Sequence, residues 1–142
     1  MELQTTLPGR VTLAAGAEVS RGRDAADGSP LDDIAPAGAS AVLRRGFGER
    51  GTAYTRIAAI APHRAAGPGE VATPGYTLAE AGGSWRLTPR LRLHASLHNL
   101  LNAAYPPSAS PRWVRAPGRS ASVTAAVTFQ RTTPPAGGPA LP

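Results

Sequence analysis

The sequence contains no cysteine and no lysine. Without cysteine it can form no disulfide and no thiolate metal site. All 15 basic residues are therefore arginine, and against nine acidic residues they leave a net charge of +6. No apolar run approaches the ~20 residues of a membrane-spanning helix. Met1 opens MELQTTLPGR, which has neither a basic first region nor an apolar stretch after it. No secretory signal stands at this start. A complete protein of this sequence is thus expected in the cytosol; the alternative is a piece of a longer chain. There is no GxxxxGK[ST] or GxGxxG phosphate loop, no HExxH and no nucleophile elbow. No catalytic activity, metal or cofactor is expected.

A basic chain invites a nucleic-acid reading, but that needs the charges gathered on one surface. Here Arg10, Arg21, Arg23, Arg50, Arg64, Arg90, Arg112, Arg115 and Arg119 are scattered, mostly near expected strand ends. No basic helix or basic run with interleaved aromatics occurs, so no nucleic-acid partner is expected.

Alternation is abundant. Side chains along a strand point to opposite faces in turn, so a period of two marks a strand with two different faces. The pattern is sharpest in Gly118 to Phe129. Ala121, Val123, Ala125, Val127 and Phe129 share one face, while Ser120, Ser122, Thr124, Ala126 and Thr128 share the other. Six further segments follow the rule: Glu2 to Leu7, Arg10 to Ser20, Pro36 to Phe47, Thr52 to Ala61, Tyr76 to Leu87 and Leu91 to Leu101. In Pro36 to Phe47, Arg45 is the one charge on the apolar face. In Thr52 to Ala61, Arg56 assigns the even positions to the polar face, although Tyr54 and Ile60 then sit beside it. The 16 glycines and 15 prolines cluster between these segments, where turns belong.

The connections alternate in length. They are short at 8–9, 48–51 and 88–90, and long at 21–35, 62–75 and 102–117. In an antiparallel meander this gathers the short turns at one end and the long loops at the other. The alternating segments run to about 10–12 residues, against the ~9–11 that a tilted membrane-spanning strand needs. Phe47, Trp85 and Phe129 fall on the apolar face at the short-turn end, where an aromatic girdle stands in membrane barrels. The expected fold is all-β: an antiparallel transmembrane β-barrel fragment of about seven up-and-down strands in an open curved sheet, over residues 1–129. Residues 130–142, rich in proline and glycine, are expected to be a disordered tail.

The chain also resembles the C-terminal β-barrel portion of a TonB-dependent outer-membrane receptor. Asn99-Leu100-Leu101-Asn102-Ala103-Ala104-Tyr105 is similar to that family's NLF(D/N)xxY element. Ala116-Pro117-Gly118-Arg119 is similar to the PGR that opens its last strand, and Phe129 to its terminal aromatic. Thr73-Pro74-Gly75-Tyr76-Thr77-Leu78 resembles its T-x-GYTL segment. Pro30-Leu31 and Ile34-Ala35-Pro36 resemble its PL-x-x-IPP segment. The resemblance implies a receptor for active uptake of a scarce solute, such as an iron chelate or siderophore, haem, cobalamin or a metal. This chain would supply barrel wall and outer loops in the outer membrane of a Gram-negative bacterium. The implied partners are outer-membrane lipid, the remaining strands and the N-terminal plug, TonB through that plug, and the barrel-assembly machinery through the last strand. The family's strands end near the terminal aromatic, whereas 13 residues follow Phe129 here.

Candidate ligand residues are few. His94 and His98 share a face but stand roughly 13 Å apart along an extended strand, too far to hold one metal together. His63 sits at a loop edge and is a candidate for a ligand site. On the polar face, Glu18, Arg44, Arg56, Glu80, Arg86 and Arg92 form a ladder of mixed sign facing the lumen. Asn99, Asn102 and Tyr105 are read as structural, at a strand end, a loop start and the membrane interface. Two alternatives remain at this stage: a soluble all-β binding module, which would enclose the apolar faces in a sandwich, and a non-functional receptor remnant.

Overall fold

The structure, a computed structural model, describes residues 1–64, 67–106 and 114–129. It contains seven strands: β1 (Glu2–Leu7), β2 (Val11–Glu18), β3 (Gly38–Gly46), β4 (Gly51–Ile60), β5 (Tyr76–Arg86), β6 (Leu91–His98) and β7 (Ser120–Val127). A single 3-10 turn, Gly48–Arg50, joins β3 to β4. The strands form one open antiparallel sheet in chain order, each paired with its sequence neighbours. The expected tail at 130–142, and residues 107–113 of the third long loop, lie outside the described residues.

The register carries the faces through the whole sheet. Leu3 pairs with Ala15, Ala15 with Ala41, Ala41 with Ile57, and Ile57 with Ala79. Ala81 then pairs with Leu97, and Leu97 with Ala121. The apolar positions of one strand therefore meet the apolar positions of the next. A one-residue slip at any ladder would put them on the opposite side. The ambiguous β4 follows the same rule. Arg56 pairs with Val42 and Glu80, and Tyr54 with Arg44 and Gly82, so the even positions do form the polar face.

No hydrophobic residue is buried among the described residues. Leu43, Ile57, Leu97, Val123 and Val127, all on the apolar face, are 44 to 73% exposed. A soluble sandwich would hide these side chains between two sheets; the single layer here leaves them outside. The strands hold by their ladders and cross-strand neighbours, with no buried apolar core among the described residues.

β1 keeps its expected span of 6 residues and β4 its expected 10, but β2, β6 and β7 run to only 8 residues, β3 to 9 and β5 to 11, shorter than their alternation predicts. The clearest cause is at β6. Asn99 has a φ of +49° and Asn102 one of +52°, so the backbone turns out of the strand immediately after His98. Apolar alternation continues to Leu101 in sequence, but a left-handed residue ends the ladder.

Candidate functional site

Two clusters of polar side chains stand out: one on the polar face of β4 to β7, the other in the long loops.

On the polar face, Arg56 of β4 and Glu80 of β5 are register partners, and Arg56 Nη1 lies 3.7 Å from Glu80 Oε2. The other carboxylate oxygen faces His98 of β6, with Nδ1 at 3.4 Å. His98 Nε2 lies 2.9 Å from Ser96 Oγ, which is 2.7 Å from Ser122 Oγ of β7. A continuous polar chain therefore crosses four strands. It is open to solvent, with the side chains of Arg56, Glu80 and His98 at 49, 25 and 45% exposure. Toward the short-turn end, Arg92 Nη1 donates to Ser84 Oγ at 3.4 Å, and Arg86 pairs with Glu49 at 3.8 Å.

Of the ligand candidates among the described residues, Glu80 and His98 are in hydrogen-bond contact, while Arg44 and His94 line one open cavity on the polar face without touching each other. His94 pairs in register with Ser84 and Thr124. Arg44 lies opposite Thr12 and Tyr54. Neither Arg44 nor Glu18 makes an ion pair among the described residues. Those residues contain no group of three or more His, Asp or Glu arranged to hold a metal ion.

His63 is placed elsewhere. It belongs to the loop after β4, where its backbone forms an antiparallel bridge with Thr73 through bonds of 2.9 and 3.0 Å. Its side chain is turned inward onto Glu70, with Nε2 3.0 Å from Oε2. Glu70 also accepts from Gly67 N at 3.1 Å and, across to the β2–β3 loop, from Asp33 N at 3.0 Å. Asp32 returns the contact by accepting from Gly69 N at 2.9 Å. These bonds hold the Glu70 carboxyl below the usual glutamate range, the His63 contact contributing most. His63 therefore fastens two loops together. In the sequence both stretches show loop composition and family-like segments, with nothing that joins one to the other. Their partners lie 37 residues apart, and no local pattern reports such a pairing.

The motif residues form a third structure. Asn99 is 5% exposed. Its Nδ2 donates to the carbonyls of Ala103 and Pro117 at 2.9 and 3.2 Å, and its Oδ1 accepts from Ala103 N at 2.8 Å. Leu100 N donates to Ala79 O of β5 at 2.8 Å. Asn102 Oδ1 accepts from Arg119 N at 3.0 Å, and Arg119 Nε donates to Leu100 O at 3.1 Å. A Cβ on Gly118 would stand 2.9 Å from Asn102 Oδ1, so only glycine fits there without a shift. Gly75 is equally confined, its missing Cβ falling 2.8 Å from Ile60 O. Tyr76 and Tyr105 stack with centroids 4.6 Å apart. The separate sequence elements thus lock the β6–β7 connection to the start of β5. Phe129 lies past β7 and is 88% exposed.

No protein-family model matches the sequence, and no curated protein matches it. Among solved structures, the copper transporter OprC is similar, with a TM-score of 0.81 at 20% sequence identity. The open seven-stranded antiparallel sheet matches the fold of part of that chain. The likeness covers 90% of this chain and 23% of that transporter, so the chain spans less than a quarter of its neighbour's length. At this identity the common property is the fold alone.

Proposed function

We propose that the chain forms part of the wall of a TonB-dependent outer-membrane receptor that takes up a scarce solute. The observation that carries this reading is the unbroken register of two unlike faces. One apolar face runs exposed across seven strands, and no second layer covers it among the described residues. Water disfavours such a surface and lipid does not. The opposite face holds the Arg56–Glu80–His98–Ser96 chain, as a polar lumen does. The Asn99 clamp between β6 and β7 supports the family resemblance of its residues. In this reading the plug, TonB acting through it, the remaining strands and the barrel-assembly machinery are the partners. The long loops and the polar face meet the solute. Copper is the first solute to test, since the similar solved structure is a copper transporter; iron chelates, haem and cobalamin follow.

The cysteine-free sequence makes the test direct. Single cysteines at Ala121, Ser122, Val123 and Thr124 are labelled with an environment-sensitive dye after the chain is folded into lipid vesicles. Labels at 121 and 123 should report hydrocarbon, and labels at 122 and 124 water. Uniform aqueous signals, or a monodisperse monomer soluble without detergent, would overturn the reading.

A further inference from the structure

The two ends of the sheet differ in charge. Seven of the nine acidic residues sit at or beyond the long-loop end of the strands. The short-turn end has one, Glu49, which is already paired with Arg86. Around the same turns stand Arg10, Arg45 and Arg50, all exposed. None of the three makes an ion pair among the described residues.

They are gathered about one feature. Arg45 is the last outward residue of β3, and its guanidinium carbon lies 5.3 Å from the centre of the Phe47 ring. Phe47 leans on Trp85 at 5.5 Å, with the rings tilted by 55°. Arg10 has a φ of +60°, and its carbonyl accepts from Gly46 N at 3.0 Å. That bond brings the Arg10 side chain to Gly48, with Nη1 3.1 Å from where a Cβ on that glycine would stand. Arg50 closes the same 3-10 turn.

A charge on an apolar face is costly within hydrocarbon. At the last outward position, however, an arginine stem can lie along the apolar surface while its head reaches the polar boundary. Trp85, 43% exposed and leaning on Phe47, marks that boundary, since the amphipathic indole settles at headgroup level. Three uncompensated guanidiniums there repel one another and match a surface of phosphates.

We propose that Arg10, Arg45 and Arg50, framed by Phe47 and Trp85, form a docking surface for the headgroups of an anionic phospholipid leaflet. The proposal rests on the barrel-wall reading above. Guanidinium forks meet phosphate oxygens in pairs, and the aromatic rings seat the rim at the depth where those oxygens lie.

The test uses the full chain with phosphatidylcholine vesicles made with and without phosphatidylglycerol, scored by flotation. Each arginine near an anionic surface contributes roughly fivefold, so the three together should favour the anionic vesicles on the order of 100-fold. The triple variant Arg10→Gln, Arg45→Gln, Arg50→Gln should lose that preference and still associate with neutral vesicles. A control at the other end, Arg21→Gln, Arg23→Gln, Arg64→Gln, removes the same charge and should keep it. Equal losses in the two triples would reduce the effect to net charge and overturn the proposal. So would an absence of any preference in the unaltered chain. Inorganic phosphate at matched ionic strength should leave the binding unchanged; displacement by it would remove the lipid surface as the occupant. If no variant associates with either vesicle, the barrel-wall reading fails and this proposal with it. Association without headgroup preference sinks this proposal alone.

Discussion

His63 and Glu70 hold each other inside the loops, Nε2 of one 3.0 Å from Oε2 of the other, with side chains only 7 and 10% exposed. The same carboxylate takes the amides of Gly67 and Asp33. Two loops that leave different hairpins are thereby fastened at one acidic group.

Replacing Glu70 by Gln should loosen both loops at once. At neutral pH the Asp33 and Gly67 amides should exchange hydrogen about tenfold faster, the effect of losing one charged hydrogen-bond acceptor. The Glu70 carboxyl is held below its ordinary range by His63 and Gly67. Its contribution is therefore fully present above the unfolded glutamate pKa and is lost as pH falls through the lowered folded value. Protection of the two amides should survive mild acid and disappear only below the usual glutamate range. Protection unchanged in Glu70→Gln would show that the fastening lies elsewhere.

The Asn99 clamp should matter more to stability. Asn99→Ala removes three hydrogen bonds made by a side chain at a site 5% exposed and leaves the Ala103 amide and the Ala103 and Pro117 carbonyls without those partners. A loss of about 3 kcal/mol is expected in urea unfolding of the chain folded in detergent micelles. Asn99→Gly makes a useful companion. It relieves the φ of +49° while losing the same bonds, so it should regain only about 1 kcal/mol of that loss. Equal stability of Asn99→Ala and the unaltered chain would remove the clamp as a structural element.

Arg56 and Glu80 invite the opposite expectation. Their side chains are 49 and 25% exposed and 3.7 Å apart, so water screens the pair. A double-mutant cycle of Arg56→Ala and Glu80→Ala should give a coupling below about 1 kcal/mol. These residues would then be free to exchange partners when another surface or a solute meets the polar face. A much larger coupling would instead make the pair a fixed part of the wall.

Sheet topology and faces were legible in the sequence because each rests on local alternation. The sense of β4 followed from one residue, Arg56, and its pairing with Glu80 agrees. Strand ends were less legible. The alternation through Asn99 to Leu101 extends a strand that the left-handed Asn99 stops at His98. The loop fastening was not legible at all. Asp32 and Asp33 meet Gly69 and Glu70 only because β3 and β4 return the two loops to the same end of the sheet. The placement of His63 shows the same limit. A histidine at a loop edge reads as a ligand candidate, and only the fold reveals Glu70 against it.

The strand count has a consequence of its own. With seven strands in strict up-and-down order, β1 and β7 run in the same direction. A ring of identical copies, all oriented alike, would have to join β7 to the next β1 side by side in parallel. An antiparallel cylinder must hold an even number of strands. Any set of strands that completes one around this sheet must therefore be odd in number, and both of its outer strands must run against β1 and β7.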